Sequence, residues 1–526
     1  MIHRLVFVEP IQERVHLFSR YRIPRLGSLI LATLMRDRGF DARVLFLSER
    51  EILARALEGG EPSGAAGEAT PEPRRVPAGQ PGGAARVSGV PGAVRASRAC
   101  TAAAVDLVGI STITPTAPEA YRLGDHFRAR GLPVVLGGPH VSFLPEEALE
   151  HADFVIRGEG ERSFPLLVDA LNGKASLEDV PGLSFRHNGR VRNNPLPELL
   201  EDLDSLPFPD FRLLDTGGRR LGGPFGRQII PLQTSRGCPF DCTFCSVTCM
   251  FGRRYRYRST ESVIAELERF DGGRHFPFFY DDNFASNPRR AKELLRRMID
   301  LGMRFRWMTQ VRSDVARDGE LLDLMAAAGC TYLFLGFESV NPQALAEMRK
   351  GQSLAEIERA VREIRRRGIH VHGMFVFGFD ADTPATVRAT AEFAVRRRVD
   401  TVQFLALTPI PGTELFESLE REQRILDREW GDYDGLHVKH HPKHLSVPEL
   451  QTALVDAHRR FYTLGRVLER LLSGRFRAVY LCLFARIAVR RWLRPQRDLL
   501  RGLAADADHQ AGATRPARHR ITTSPS

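Results

Sequence analysis

The sequence predicts an α/β protein built as two successive parallel sheets and a mainly helical C-terminal region, on three observations. Its 526 residues exceed what one hydrophobic core usually organises, so several domains are expected. The first third alternates short apolar runs with segments of helical period, the pattern of a doubly wound, flavodoxin- or Rossmann-like sheet. From about Gln228 a second alternation supplies six further strand-like runs, which suits a partial (β/α)6 TIM-like barrel with its site at the strand carboxyl ends.

In the first series LVFVEP, ARVLFL, VDLVGIST, PVVLGG and FVIRG read as strands. Between or after them RLGSLILATLMRDRGF, PEAYRLGDHFRARG and ERSFPLLVDALNG read as helices. A ligand of such a sheet lies beyond the strand carboxyl ends, here Glu9 onward, Ser111-Thr112, Gly137-Gly138-Pro139-His140 and Gly158-Glu159-Gly160. Gly59 to Ala104 holds no aromatic residue and no Leu, Ile or Met, so it cannot bury enough apolar surface to offset chain entropy and reads as a disordered insertion. Residues 173–226 read as a connector, with a hairpin turning at Asn188-Gly189 and an extended, proline-anchored SLPFPDF. The second series runs QIIPLQTS, FPFFYDD, RWMTQVRS, TYLFLGFES, HVHGMFVFGF and TVQFLALTP. The expected organisation is therefore 1–172 (with 59–104 inserted), connector 173–226, barrel 227–416, cap 417–472, and a basic helix and tail 473–526.

Charge is distributed unevenly. Residues 459–526 carry fifteen arginines, no lysine and four acidic groups, which accounts for the whole net charge of +11 and leaves 1–458 balanced. A neutral body disfavours a nucleic-acid binder. The Arg-rich terminal helix either packs on the body or meets anionic lipid. Scarce cysteines outside one cluster and a start, MIHRLVFVEP, without a basic n-region lead us to expect a reducing, cytoplasmic setting, with the inner membrane surface as a place of peripheral contact. Ala478 to Val489, the longest apolar run, is too short to span a bilayer and contains Arg486.

The cluster is RGCPFDCTFCSVTC, directly after the first barrel strand. Cys238, Cys242 and Cys245 are spaced CxxxCxxC, and Gly237 and Pro239 oppose a helix that would make them a buried stripe. Cys249 could complete a four-thiolate zinc site. Cysteine ligands alone do not decide between zinc and iron, but a closed structural site would waste the mouth of a barrel.

RGCPFDCTFCS, with aromatic Phe244 before the third cysteine, resembles the cluster loop of the radical S-adenosylmethionine (SAM) superfamily, and the likeness extends over roughly Gln228 to Phe416. The resemblance implies that Cys238, Cys242 and Cys245 hold three irons of a 4Fe-4S cluster, the fourth iron being open to SAM, while Cys249 packs nearby without coordinating. It implies a deoxyadenosyl radical made by reductive cleavage of SAM, with electrons from an external flavodoxin- or ferredoxin-type donor. Tyr280-Asp281-Asp282-Asn283 resembles the family's contact to the SAM amino group, the alternative being that Asp281 or Asp282 caps the following helix. Glu338 in LGFES would face SAM, or else pair with Arg312, which is itself a candidate cofactor contact. Gly373 and Gly378 fit close approach of backbone to the adenosyl group, or ordinary turn chemistry.

GISTITPTAP, VVLGGPHVSFLPEEAL and DFVIRGEGE resemble the cobalamin-binding domain that precedes the barrel in one radical SAM subgroup. There Ser111, Thr112, Gly137 and Gly138 would line the slot for the nucleotide tail. No Asp-x-His-x-x-Gly motif is present, so neither His140 nor His16 is assigned as a cobalt ligand. The resemblance implies C-methylation of an unactivated carbon in a small-molecule or lipid-like substrate. The alternatives are an oxidative cyclase like the anaerobic magnesium-protoporphyrin IX monomethyl ester cyclase and a non-catalytic metal- or cobalamin-binding regulator. His437, His440, His441 and His444 read as a solvated loop rather than a metal site.

Overall fold

The computed structural model describes residues 1–11, 23–55, 105–219, 221–223, 226–472 and parts of 479–500. The expected insertion at 59–104, His16 and most of the basic tail lie outside the described residues.

Eight strands form the first sheet: β1 (Arg4–Val8), β2 (Asp41–Leu45), β3 (Leu107–Ser111), β4 (Val134–Gly137), β5 (Phe154–Ile156), β6 (Leu183–His187), β7 (Arg190–Asn193) and β8 (Leu214–Asp215). Their order is β7-β6-β5-β4-β3-β1-β2-β8. The β1 to β5 segment is parallel, as its uninterrupted apolar strands demand, because helices cover both faces. The segment read as a connector is woven into this sheet. Its hairpin, with both Asn188 (φ 51°) and Gly189 (φ 77°) in the left-handed region, adds antiparallel to β5, and β8 extends the other edge beside β2.

Eight more strands follow: β9 (Gln228–Leu232), β10 (Ser235–Arg236), β11 (Arg256–Tyr257), β12 (His275–Phe279), β13 (Trp307–Val311), β14 (Cys330–Glu338), β15 (His370–Phe377) and β16 (Thr401–Ala406). Six of these pair in parallel in the order β16-β15-β14-β13-β12-β9, an open half barrel, while β10 and β11 form a separate short antiparallel pair. The crossover helices start where side chains can accept their free backbone N–H groups: Asn287 before Pro288–Asp300, Ser353 with Glu356 before Leu354–Arg366, and Thr383 before Pro384–Arg396. Their apolar stripes close over Trp307, Phe279, Phe284, Phe337, Phe375 and Phe404, all buried.

The C-terminal region divides. Glu414–Arg421 and the turn at Trp430 return to the first sheet, where Phe416, Trp430 and Tyr433 share an apolar cluster with Val8, Ile110 and Leu136. Val447–Phe461 instead packs along Pro384–Arg396 and β16. The free edge of β16 is covered by Tyr462, whose hydroxyl accepts from the Val402 N–H (2.9 Å) and donates to its carbonyl (2.6 Å). Helix Leu464–Leu472 is turned inside out. Arg466 and Arg470 point inward and donate to the Val399 carbonyl, while Leu464, Leu468, Leu471 and Leu472 face outward.

The histidine-rich stretch is not a solvated loop throughout. His440 is fully buried, forms an isolated bridge with Ile425, and its Nε2 lies 2.9 Å from the Gly378 carbonyl. His441 and His444 are exposed, as expected.

Candidate active site

β9 delivers the chain to the carboxyl rim of the half barrel, and the pair β10/β11 brackets the cysteine loop at its base. Gly237 (φ +85°) makes the turn into the loop, and a β-carbon there would stand 2.5 Å from the Arg254 carbonyl oxygen. Two backbone bonds pin the loop to neighbouring helices: the Thr243 N–H donates to the Met348 carbonyl (3.3 Å), just after Pro342–Glu347, and its carbonyl accepts from the Leu415 N–H (3.0 Å) in Glu414–Arg421. Phe244 packs edge-on against Phe379 at 6.1 Å.

Cys238, Cys242 and Cys245 are half-buried and unpaired, whereas Cys249, on helix Ser246–Phe251, is exposed. The expected apolar packing of Cys249 is thus absent, because its helix turns it to solvent. Burial pushes the Cys245 thiol up to about 12 and raises that of Cys238 as well. Bare thiolates are therefore disfavoured here, and a cationic guest that binds thiolate sulfur would remove the penalty. Among the described residues no three His, Cys, Asp or Glu side chains converge on a single-ion site. Four sulfurs on one zinc at about 2.3 Å would need that convergence. Three half-buried thiols on one loop could supply one sulfur to each of three metals of a polynuclear cluster.

At the end of β12 two adjacent carboxylates meet opposite fates. Asp281 is fully buried and spent: it accepts from the Thr234 N–H (2.7 Å), the Ser235 N–H (3.0 Å) and the Thr234 hydroxyl, and so holds the base of the cysteine loop to β12. Its carboxylate is thus engaged within the protein. Asp282 points toward the loop. Burial, then the charge of Asp281, raises its pKa to about 7 against a bond from the Gly237 N–H, and it makes no ion pair among the described residues. Neither residue caps the next helix, because Asn287 does so.

Glu338 ends β14 in the left-handed region (φ 60°) and pairs with Lys350 at 2.7 Å, both buried. The alternative pairing with Arg312 does not occur. Arg312, at the end of β13, stacks 3.6 Å from the Phe240 ring centre, donates to the Lys350 carbonyl, and places Nη1 3.9 Å from Cys242 Sγ. Gly373 is closely packed: a β-carbon there would meet Phe375, Phe337 and Val399 side chains at 3.0–3.2 Å, so neighbouring side chains leave it little room. Gly378 (φ +113°) makes the turn after β15 under His440 and Leu450, and its N–H donates to Asp382. Both glycines therefore also answer a local packing or turn requirement.

On the first sheet, Thr112 is buried with its hydroxyl donating to the Gly137 carbonyl (2.8 Å). Gly138 (φ +105°) has no room for a side chain, since a β-carbon would lie 2.3 Å from the Thr112 carbonyl oxygen. Thr112 and Gly138 thus also build the strand-end turn. Ser111 and Gly137 are half-buried, and the nearest atom to a β-carbon at Gly137 would be 3.9 Å away. His140 is consumed by Thr114 (3.3 Å), Tyr121 (3.1 Å), Glu147 (3.6 Å) and the Trp430 ring.

The two carboxyl rims abut. Arg236, at the mouth of the cysteine loop, is buried between Glu159 (3.0 Å) and Glu161 (2.6 Å), which follow β5, and Arg256 joins Glu159 at 3.0 Å. Helix Pro139–Phe143 after β4 packs against Ser246–Phe251, and Gly412 lies under the Phe143 ring. The sequence reading missed Arg236, Glu159 and Lys350 as site-building residues. Their signal was weak: an arginine inside the cysteine motif and acidic residues at a strand end, meaningful only as a pair.

Residues 232–438 match the radical SAM superfamily and residues 95–168 the B12 binding domain. The chain is 34% identical over 371 residues to an uncharacterised methyltransferase of Pyrococcus horikoshii, covering 69% of this chain and 80% of that one. It is 32% identical over 375 residues to the bacteriochlorophyllide d C-12(1)-methyltransferase of Chlorobaculum tepidum, covering 70% and 76%. To the anaerobic magnesium-protoporphyrin IX monomethyl ester cyclase of Cereibacter sphaeroides it is 30% identical over 371 residues, covering 68% and 60%. Among solved structures, the radical SAM methyltransferase TsrM from Kitasatospora setae, with cobalamin and a 4Fe-4S cluster bound, superposes with a TM-score of 0.61 at 21% identity, covering 80% and 78%. OxsB with aqua-cobalamin and SAM bound gives 0.62 at 15% identity, covering 93% and 72%; these two likenesses are of fold.

Proposed function

The chain belongs to the cobalamin-binding radical SAM superfamily, and from that premise we propose that it transfers a methyl group to an unactivated carbon of a small-molecule substrate. It is an enzyme of the methyltransferase-like branch, with a 4Fe-4S cluster, SAM and cobalamin as cofactors. The observation that carries the proposal is the closure of the cysteine loop onto the carboxyl rim of the first sheet through Arg236, Glu159 and Glu161. A substrate bound in that seam has one sheet's ligand on either side.

Cys238, Cys242 and Cys245 would hold the cluster, and the half-buried Ser111 and Gly137 would face the corrin's nucleotide tail. When bound, the cluster and SAM supply a hydrogen-abstracting radical and the corrin supplies a methyl carrier. The protein's part is placement. Asp282, a half-buried carboxylate with no ion pair among the described residues, suits the ammonium of SAM. Glu338 and Lys350 neutralise each other beside the loop and present a polar wall to the rest of SAM. An external flavodoxin- or ferredoxin-type protein would deliver the electrons.

Anaerobic reconstitution with iron, sulfide and hydroxocobalamin, then incubation with SAM and a reductant, tests the proposal. Methyl transfer predicts S-adenosylhomocysteine alongside deoxyadenosine, since one SAM gives the methyl and another the radical. Deoxyadenosine alone would favour oxidative cyclisation, the second reading, which the 30% identity to a cyclase keeps in view.

No helix among the described residues is long and apolar enough to cross a membrane. The outward leucines of Leu464–Leu472, with exposed Leu483 and Ile487 and the arginines of the same region, support peripheral contact with anionic lipid. Flotation of the full chain with phosphatidylglycerol vesicles, but not with phosphatidylcholine vesicles, is the expected result. No binding to either would sink this part, and with it the case for a lipid-like substrate.

A further inference from the structure

We propose that Arg312 sets the reduction potential of the cluster by donating an N–H···S hydrogen bond to the Cys242 thiolate and holding a positive charge beside it. This inference rests on the reading that Cys238, Cys242 and Cys245 hold the cluster.

The guanidinium is fixed on two sides. Its plane lies 3.6 Å from the centre of the Phe240 ring, which belongs to the cysteine loop itself, and Nη2 donates to the Lys350 carbonyl. With those contacts made, Nη1 faces Cys242 Sγ at 3.9 Å, within reach of a sulfur acceptor. The side chain is buried, so the contact is little screened by water.

The second basic side chain at the loop provides the contrast. Lys350 lies 6.0 Å from the centre of the Phe244 ring, but its ammonium is closed by Glu338 at 2.7 Å in a buried pair. The carboxylate nearest to Arg312, Asp314, is 3.9 Å away through Nε and is largely exposed, and Nε itself is buried without a hydrogen-bond partner. Of the two cations, Arg312 is the one that donates to a cysteine sulfur, while the charge of Lys350 is paired with Glu338. Reduction adds one negative charge to a cluster. A nearby cation and a hydrogen bond to ligand sulfur stabilise the reduced form more than the oxidised one, and so raise the potential. For an enzyme that must be reduced from outside before it can cleave SAM, that shift eases the first electron transfer.

The test uses the full chain, reconstituted anaerobically and titrated without SAM, with the reduced cluster followed by electron paramagnetic resonance. Omitting SAM separates an effect on the cluster from an effect on SAM binding. Arg312→Met keeps the apolar stem and removes the charge. At the wild-type midpoint its reduced-to-oxidised ratio is expected to fall about tenfold, which for a one-electron couple is 59 mV. Arg312→Lys, which keeps the charge and loses the fork, should recover part of that shift, and Lys350→Met should move the midpoint less than Arg312→Met. A fully loaded Arg312→Met protein with an unchanged or higher midpoint overturns the proposal. Should that variant fail to take up iron, Arg312→Lys decides: a midpoint between wild type and a tenfold loss supports the charge argument, and a full tenfold loss with the charge retained overturns it. If the wild type itself takes up no cluster, it is the site reading that fails.

Discussion

The carboxyl rims of the two sheets are built from similar residues and use them differently. On the first sheet, Thr112, Gly138 and His140 are absorbed by the turn, by each other's backbone or by the C-terminal cap. On the half barrel, the three thiols form no disulfide and Asp282 makes no ion pair among the described residues. A polar residue at a strand end is therefore a site candidate only after the fold has taken its share. Asp281 and Asp282 make the point within two positions, one tying the cysteine loop to β12 and the other facing it.

The largest effect should come from the barrel rim. Replacing Cys238, Cys242 or Cys245 with Ala is expected to abolish cluster absorbance and SAM cleavage, while Cys249→Ala, on an exposed helix position, should keep the full iron content. Loss of iron in the Cys249 variant would erase the distinction between ligands and bystander.

The joint between the rims comes next. Arg236→Met leaves buried Glu161 without its cation and is expected to cost about 3–5 kcal/mol in a denaturant titration. The same joint predicts a pH response. Burial alone would raise the Glu159 pKa, but the Arg256 hydrogen bond and the Arg236 charge outweigh it and hold the carboxyl below its ordinary value. Its stabilising contribution is thus complete above the unfolded carboxylate pKa of about 4.3 and is lost as pH falls through the lower folded value. A midpoint that does not change between neutral and acidic pH in wild type, or that changes equally in Glu159→Gln, would argue against this coupling.

Within the barrel rim, Asp281→Ala should destabilise by about 2–4 kcal/mol, because two buried N–H groups lose their acceptor. Asp282→Asn should leave thermal stability nearly unchanged and weaken SAM binding, measured by calorimetry on the loaded protein. Equal losses of stability in both variants would collapse the contrast between spent and unspent carboxylates.

The smallest effect separates the two glycines of the first rim. Gly138→Ala must displace the Thr112 carbonyl and adopt a strained φ, so it should lower the melting temperature measurably. Gly137→Ala has room and should keep the fold, so any loss in hydroxocobalamin binding would report directly on the slot. Unaltered binding would remove Gly137 from it.

Much of the fold was legible in the sequence because periodicity and caps are local. The alternation of LVFVEP, VDLVGIST and PVVLGG with helical stretches announces a parallel sheet, and Asn188-Gly189 announces its hairpin. That the hairpin belongs to the first sheet was not legible, since edge pairing joins β5 to residues nearly thirty positions later. The cysteine loop was legible because its three thiols are close in sequence. The surroundings of Gly373, Gly378 and Thr112 were not legible for the opposite reason. A small or polar residue near a strand end looks the same whether it faces a ligand or a helix, and only the neighbours across the sheet, such as Val399 or Leu450, tell the two apart.

Sequence by itself determined the two-sheet α/β class, the cysteine motif and the concentration of charge in the C-terminal arginines, because each is a property of consecutive or periodic residues. The tertiary structure decided which strand-end groups are consumed, that Glu338 meets Lys350 and not Arg312, and that Arg236 reaches across to Glu159 and Glu161. Those outcomes depend on contacts between segments distant in the chain. Burial and distance, which set the worth of every charge and hydrogen bond, come into being only when the segments meet.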